Sequence, residues 1–229
     1  MHVIRPKCRP GFIPADYAFV VEVLAKGDKE REALYRLLGD ERERDRVLDD
    51  EALFNALLEE NRLLSVSAGF YFYVMVRRVF LKAGLSDRGL ADYVASLLAE
   101  FSRMERVRRP HGDRLPAMDY LTDMAAAMGE ASEELRFFIA LHIGNVALFL
   151  SGVFPEYIRH REQRRAAPGL GYYESMGESH LRAAAGHRLA DRYELKPVVR
   201  DLAEVFRPAR RALNDMAERI LGLEEAMTF

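Results

Sequence analysis

The chain has 229 residues, 49% of them hydrophobic and 31% charged, a balance typical of a folded globular protein and not of a disordered one. Its 34 basic and 36 acidic residues give a net charge of -2, so any affinity for nucleic acid or anionic lipid must come from a local patch. The single cysteine, Cys8, excludes an intrachain disulfide and a paired-cysteine metal or redox motif, which favours a reducing, cytoplasmic location.

The first third of the chain is predicted to be helical after a short irregular start. Residues 1–13 contain two prolines and a glycine and should have no regular structure. Pro14 can open the first helix, because its missing N–H is not needed at the first helical position. Asp28 is a good N-cap for a second helix, which has leucines at helical spacing and Gly39 as its stop. The alternating charges of residues 41–46 then predict a solvated helix or a connector.

Two segments further along are apolar enough to be tested as membrane spans. Residues 65–76 are followed by two arginines, which end the segment well short of the roughly 20 residues that a span needs. Residues 137–154 are longer, but they contain His142 and Asn145. A helix that is apolar on all sides is typical of a protein core, so we predict two buried central helices and no membrane segment.

Capping residues and prolines mark the remaining helices. Ser86 precedes apolar residues spaced i, i+4, i+7, i+8 and i+11, a series that few strands could carry. Residues 106–115 form a basic, proline-containing linker. Ser132 or a neighbouring glutamate begins the long buried helix, and Pro155 begins a short basic one. Residues 172–190 are then predicted as one helix.

These patterns together predict an all-α fold. The sequence has no alternating apolar run bounded by hairpin turns. We expect a single helical domain over residues 14–229, a bundle of about nine or ten helices packed antiparallel through short loops. The linker at residues 106–115 is where such a domain could divide.

The last third of the chain contains carboxylate and imidazole side chains four residues apart, a spacing that places both on one helix face. The pairs Glu156 and His160, and His187 and Asp191, could therefore hold a metal ion. The repeated Glu-x-x-His motif of di-iron bundles and the His-Glu-x-x-His zinc motif are both absent, and such pairs are also ordinary surface ion pairs. The sequence therefore identifies no cofactor.

His142 and Asn145 interrupt an otherwise apolar helix. Each must have a hydrogen-bond partner, because a buried polar group without one costs about 1–3 kcal/mol. A satisfied pair in the core is the ordinary interpretation. The alternative is a small-molecule pocket, whose candidate lining residues are His142, Asn145, Tyr172, Tyr173, Glu178 and His180.

Two arginine clusters could bind phosphate, since arginine suits bidentate contacts to phosphate oxygens. The candidate residues are Arg106, Arg108, Arg109, Arg161, Arg164 and Arg165. Neither cluster has the interleaved aromatics of a single-strand binder or a helix-turn-helix pattern, so nucleic acid is not the favoured partner.

Residues 144–155 read GNVALFLSGVFP, and residues 172–178 read YYESMGE. Together they resemble a pattern shared by uncharacterised bacterial helical proteins. The resemblance covers roughly the C-terminal third. It implies a bacterial cytosolic origin, and it carries no catalytic role that can be transferred to residues of this chain.

In the absence of a catalytic constellation, the sequence favours a non-catalytic interaction or regulatory protein that acts as a homo-oligomer, most simply a homodimer. Four consecutive aromatics would surround a single helix, so some could face a partner: Phe70, Tyr71, Phe72 and Tyr73. The first alternative is a small-molecule- or metal-binding helical protein, which could be an enzyme. The second is phosphate or nucleic-acid binding through the arginine clusters.

Overall fold

The computed structural model describes residues 3–59, 66–108, 118–165 and 167–226, and every regular element in these ranges is helical. The all-α prediction is therefore confirmed. A short 3-10 helix, Arg9–Gly11, precedes the α-helices. These are α1 (Pro14–Leu24), α2 (Asp28–Gly39), α3 (Glu41–Val47), α4 (Glu51–Glu59), α5 (Ala68–Lys82), α6 (Arg88–Arg108), α7 (Met118–Ala127), α8 (Glu133–Val153), α9 (Pro155–Arg165), α10 (Leu170–Gly186), α11 (Arg188–Arg192), α12 (Lys196–Glu204) and α13 (Phe206–Ala226).

The helix count is a correction, because the described ranges contain thirteen α-helices and not nine or ten. Short helices account for part of the excess. Residues 172–190, predicted as one helix, contain the end of α10 and the start of α11. His187 between them has an extended backbone, and its Nδ1 accepts a hydrogen bond from the Leu189 N–H at 3.1 Å. His187 is thus the N-cap of α11, and its extended backbone separates α11 from α10.

Several helix starts follow the predicted local chemistry. Pro14 and Pro155 are the first residues of α1 and α9. Ser132 caps α8, with its Oγ accepting from the Leu135 N–H at 3.3 Å. At α6 the cap is one residue later than predicted, because Asp87 and not Ser86 accepts the hydrogen bond from the Leu90 N–H.

The chain divides into two compact units. We call Pro6–Ala99 with Glu218–Phe229 the N-terminal unit, and Met1–Arg5 with Glu100–Ala217 the C-terminal unit. The single domain over residues 14–229 stays a prediction.

The core of the C-terminal unit lies where α10 packs between α8 and α12. Most residues of α8 from Phe137 to Gly152 are buried. Among the described helices, α8 is the one long and apolar enough to cross a membrane, and 78% of its most apolar stretch is buried inside the protein. In the N-terminal unit, α5 is largely buried, and it packs against α4 and the 3-10 helix.

Candidate functional site

The N-terminal unit contains a buried group of charged and polar side chains, which we call the polar cluster. Three segments contribute side chains to it from successive helical turns. These segments are α3 with the residues after it, α5, and α6. The N-terminal segment contributes two further residues. The members are Cys8, Arg9, Asp45, Asp49, Tyr73, Arg77, Arg88, Asp92 and Ser96. The i, i+4 spacing along α5 and α6 explains how each helix directs its members to one side.

One half of the polar cluster is centred on Asp49. Arg77, which is 3% exposed, donates from Nε to Asp49 Oδ1 at 2.8 Å and from Nη1 to the Ser86 carbonyl oxygen at 2.6 Å. Arg88 donates to both Asp49 oxygens, at 3.0 and 2.5 Å. Burial by itself raises the pKa of Asp49, but the hydrogen bonds and charges of the two arginines outweigh it, so the pKa lies below its ordinary value.

The other half is centred on Asp92, which is 4% exposed. Its Oδ1 accepts from the Cys8 N–H at 2.8 Å and from the Ser96 hydroxyl at 3.4 Å. Burial raises the pKa of Asp92, and these hydrogen bonds only partly oppose that effect. Ser96 Oγ in turn accepts from the Lys7 N–H at 3.1 Å and lies 3.3 Å from Cys8 Sγ.

The chemistry of the polar cluster favours a structural role. Its three arginines face three aspartates, so its charges are close to balanced and create no strong field for an anionic ligand. The Cys8 thiol lies 3.3 Å from the Ser96 hydroxyl, which is too weak a base to activate it as a nucleophile. Groups with shifted pKa values often mark functional sites, but ion-pair networks of this kind shift them as well.

Sequence reasoning missed the polar cluster, although a pattern in the sequence could have indicated it. Arg77 interrupts the apolar helix α5, as Asp92 and Ser96 interrupt α6. The rule applied to His142 and Asn145, that a buried polar residue must have a partner, applies equally to these three.

A second buried network joins α8, α10 and α13 in the C-terminal unit. Arg210 donates from Nε to Glu174 Oε1 at 2.8 Å and from Nη1 to Asn214 Oδ1. Asn214 Nδ2 donates to the carbonyl oxygens of Ser151 and Gly152 at 2.8 and 2.7 Å. These carbonyls belong to the last turn of α8, which has no intrahelical donors for them, so the network completes the end of that helix.

The six predicted pocket residues all lie on α8 and α10, which pack against each other. Asn145 and Tyr173 are buried, whereas the other four are half-buried. The Tyr172 ring meets the Tyr173 ring edge-on at 5.9 Å, and His180 Nδ1 lies 2.8 Å from the Met176 carbonyl oxygen one turn earlier. These contacts stay within α10 and do not build a pocket.

Two of the predicted pocket residues contact other elements. Glu178 lies 3.6 Å from Arg207, at the edge of the second network, and the His142 ring is 6.2 Å from the Phe101 ring. The pocket stays a prediction.

The four predicted metal ligands have other partners or face solvent. Glu156 is exposed and pairs with an arginine on α9, and His160 is exposed. His187 uses Nδ1 to cap α11, while its Nε2 lies 3.6 Å from Glu133. Asp191 pairs with a lysine at 2.9 Å. In the part of the chain that the structure describes, no three histidine, cysteine or acidic side chains come together as a metal site would require.

The arginine clusters are only partly within the described residues. Arg109 and the side chains of Arg106, Arg108 and Arg165 lie outside them. The Arg161 guanidinium lies over the Tyr157 ring, 5.6 Å from its centroid, and Arg164 is exposed. Phosphate binding by these residues stays a prediction.

The aromatic residues that suggested an interface on α5 are mostly directed into the protein. Phe70, Tyr71 and Tyr73 are at most 5% exposed, and Phe72 is half-buried. Large exposed apolar side chains are found instead on α2, where Tyr35 is 51% and Leu37 is 39% exposed.

No known protein family, curated protein or solved structure matches the chain. The resemblance of the C-terminal third to bacterial helical proteins therefore stays an expectation, and any proposal for function must come from the chain's own residues.

Proposed function

We propose that the protein is a non-catalytic interaction protein that acts as a homo-oligomer, most simply a homodimer, through α2. One observation carries this proposal: Leu38 is the one buried residue of this twelve-residue helix. A helix of this length is marginally stable alone in water, and helices in proteins are stabilised mainly by packing of an apolar face. Tyr35 and Leu37, which helical spacing places on either side of the Leu38 face, offer apolar surface that association would bury.

The charges of α2 favour a second copy of the chain as the partner. Three acidic and three basic side chains give the helix no net charge: Asp28, Glu30, Glu32, Lys29, Arg31 and Arg36. A neutral helix is poorly suited to nucleic acid or an anionic membrane. Its acidic residues include two in the first turn, and Arg36 lies in the last turn. Two copies packed antiparallel about a twofold axis would also pair helix dipoles that run in opposite directions.

Two further features of the protein are proposed, its central helices and its cellular location. We infer that α5 and α8 are the two central helices around which the others pack, since both are largely buried. A cytoplasmic location is supported by the single cysteine, and a bacterial origin by the resemblance of residues 144–155 and 172–178.

Sedimentation velocity at micromolar concentration tests the association. We expect the unmodified chain to sediment as a dimer and the double variant Tyr35→Asp with Leu37→Asp to sediment as a monomer, because a buried unpaired carboxylate opposes association. Leu135→Asp is the matched control, because Leu135 is an equally exposed leucine, at 43%, on α8. A strictly monomeric chain, or a double variant that remains dimeric, would contradict the proposal.

A further inference from the structure

The junction between α10 and α11 is built on His187. Its Nδ1 accepts a hydrogen bond from the Leu189 N–H at 3.1 Å, and its backbone N–H donates to the Ala184 carbonyl oxygen at 3.1 Å. The same residue therefore ends α10 through its backbone and begins α11 through its side chain. The Leu189 N–H lies in the first turn of α11, where no preceding carbonyl of that helix can accept it.

The hydrogen bond to Leu189 fixes the protonation state of the imidazole ring. A backbone N–H is always a donor, so Nδ1 must present a lone pair and cannot carry a proton. In the capped junction the ring is therefore neutral, and its one proton lies on Nε2, which is 3.6 Å from Glu133 Oε1. A charged imidazolium has a proton on each nitrogen and offers no acceptor to the Leu189 N–H.

The ring that caps α11 is also part of an aromatic column in the C-terminal unit. It stacks on Phe137 of α8 with the ring centroids 5.4 Å apart, and Phe137 stacks on Tyr193 at 6.0 Å. The Arg5 guanidinium lies over the Tyr193 ring, 5.3 Å from its centroid. Leu189 is itself buried. The cap therefore joins the start of α11 to the buried packing on α8.

The charged groups around the ring are exposed and paired with one another. The Glu133 side chain is 69% exposed and lies 3.7 Å from Arg188 as well as 3.6 Å from His187. Arg188 also approaches Glu134 at 3.6 Å, and Asp191 of α11 pairs with a lysine. An exposed carboxylate that is shared in this way adds little stability to an imidazolium. The cap bond is therefore the contact of His187 that depends most directly on its protonation state.

We propose that the junction of α10 and α11 is a pH-sensitive switch, which is closed while His187 is neutral and opens when the ring takes up a second proton. Histidine is the side chain that ordinarily changes its charge between about pH 5 and 8. The incoming proton and the Leu189 N–H compete for one lone pair, so proton binding breaks the cap bond. The first turn of α11 is then left without its acceptor and loosens.

Nuclear magnetic resonance of the full chain tests the proposal. At about pH 8 the nitrogen chemical shifts of His187 should place the ring proton on Nε2. Hydrogen exchange of the Leu189 amide then measures the cap, because Nδ1 is its acceptor. We expect the protection factor of this amide, which corrects for intrinsic exchange, to fall several-fold between about pH 8 and about pH 5. The Leu181 amide, within α10, should keep its protection.

His187→Asn is the matched variant, because an asparagine side chain caps a helix and does not titrate. Its Leu189 amide should have the same protection at both pH values. Glu133→Gln removes the carboxylate beside Nε2 and leaves the cap, so it should retain the pH dependence of the unmodified chain.

Four results would overturn the proposal. One is a proton on Nδ1 at the higher pH, and another is protection of Leu189 that does not change with pH. A third is an equal fall in His187→Asn or at Leu181, because global stability and not the cap would then account for it. The fourth is loss of the pH dependence in Glu133→Gln, because the ion pair would then be the switch.

Discussion

Glu194, at the end of α11, has a backbone conformation that L-residues rarely adopt, with φ at 57°. The Leu195 N–H bonds to the Ala190 carbonyl oxygen at 2.8 Å, and the Glu194 N–H bonds to that of Asp191 at 3.0 Å. This pair of bonds defines a left-handed helix end, at which glycine is the preferred residue. The end of α5 has the same arrangement with Gly84, whose φ is 77°.

Substitutions at these two helix ends should change the free energy of unfolding in opposite directions. Glu194→Gly should raise the free energy of unfolding by about 1 kcal/mol, because glycine has no Cβ to clash in the left-handed region. Gly84→Ala should lower it by a similar amount. Urea denaturation of both variants measures the two changes. Glu194→Ala is the control, and a gain in that variant would show that the carboxylate and not the backbone is responsible.

Asp49 should make the stability depend on acid pH. Its folded pKa lies below the ordinary 3.8, so its contribution is present above that value and is lost as the pH falls through the folded pKa. Asp49→Asn should lower the free energy of unfolding by about 2 kcal/mol near neutral pH, because Arg77 and Arg88 lose charge-assisted bonds. The difference in the free energy of unfolding between Asp49→Asn and the unmodified chain should become smaller in strong acid.

Urea unfolding at a series of pH values tests this prediction. Glu51→Gln is the matched control, because the Glu51 pKa is also lowered, first by its hydrogen bond to Arg78, yet the carboxylate is exposed. An exposed pair contributes little. A deficit for Asp49→Asn that persists unchanged into strong acid would contradict the assignment.

At the scale of the elements, the close approach of α8, α10 and α13 depends on glycine. A Cβ on Gly144 would lie 2.5 Å from Leu181 Cγ, and one on Gly177 would overlap the Phe206 ring. Both approaches are far closer than van der Waals contact. A methyl group at either position would separate the helices or force side chains out of their preferred rotamers.

Gly177→Ala should therefore lower the free energy of unfolding by about 1–3 kcal/mol, although alanine is the better helix former. Gly186→Ala on the same helix is the control, since nothing lies within 4 Å of the position that its Cβ would occupy. That variant should be neutral or slightly stabilised. Thermal unfolding monitored by circular dichroism compares the two, and equal melting temperatures would show that α10 does not depend on this approach.

The sequence predicts the elements well where their boundaries depend on local chemistry. Pro14, Ser132 and Pro155 begin or cap helices because their effects reach no further than the first turn. The same local reasoning described residues 41–46 as solvated. In the structure the Asp45 side chain is only 13% exposed, because Arg9 and Arg88 approach it from distant parts of the chain. A charge pattern contains no information about such partners.

At the scale of the molecule, the all-α class was predictable because helical periodicity extends along nearly the whole chain. The candidate sites could not be predicted from the sequence. The exposure of Tyr35 and Leu37 on α2 depends on which helix faces remain uncovered after packing, and the polar cluster depends on contacts between residues far apart in sequence. Both are properties of the tertiary structure.

Association through α2 is most directly tested by hydrogen–deuterium exchange at two protein concentrations, one below and one above the dissociation constant found by sedimentation. We predict that the amides of α2 exchange more slowly at the higher concentration, because the dimer stabilises a helix that buries only Leu38 on its own. Amides of α10 should be unaffected. Exchange in α2 that is the same at both concentrations would contradict the proposed interface.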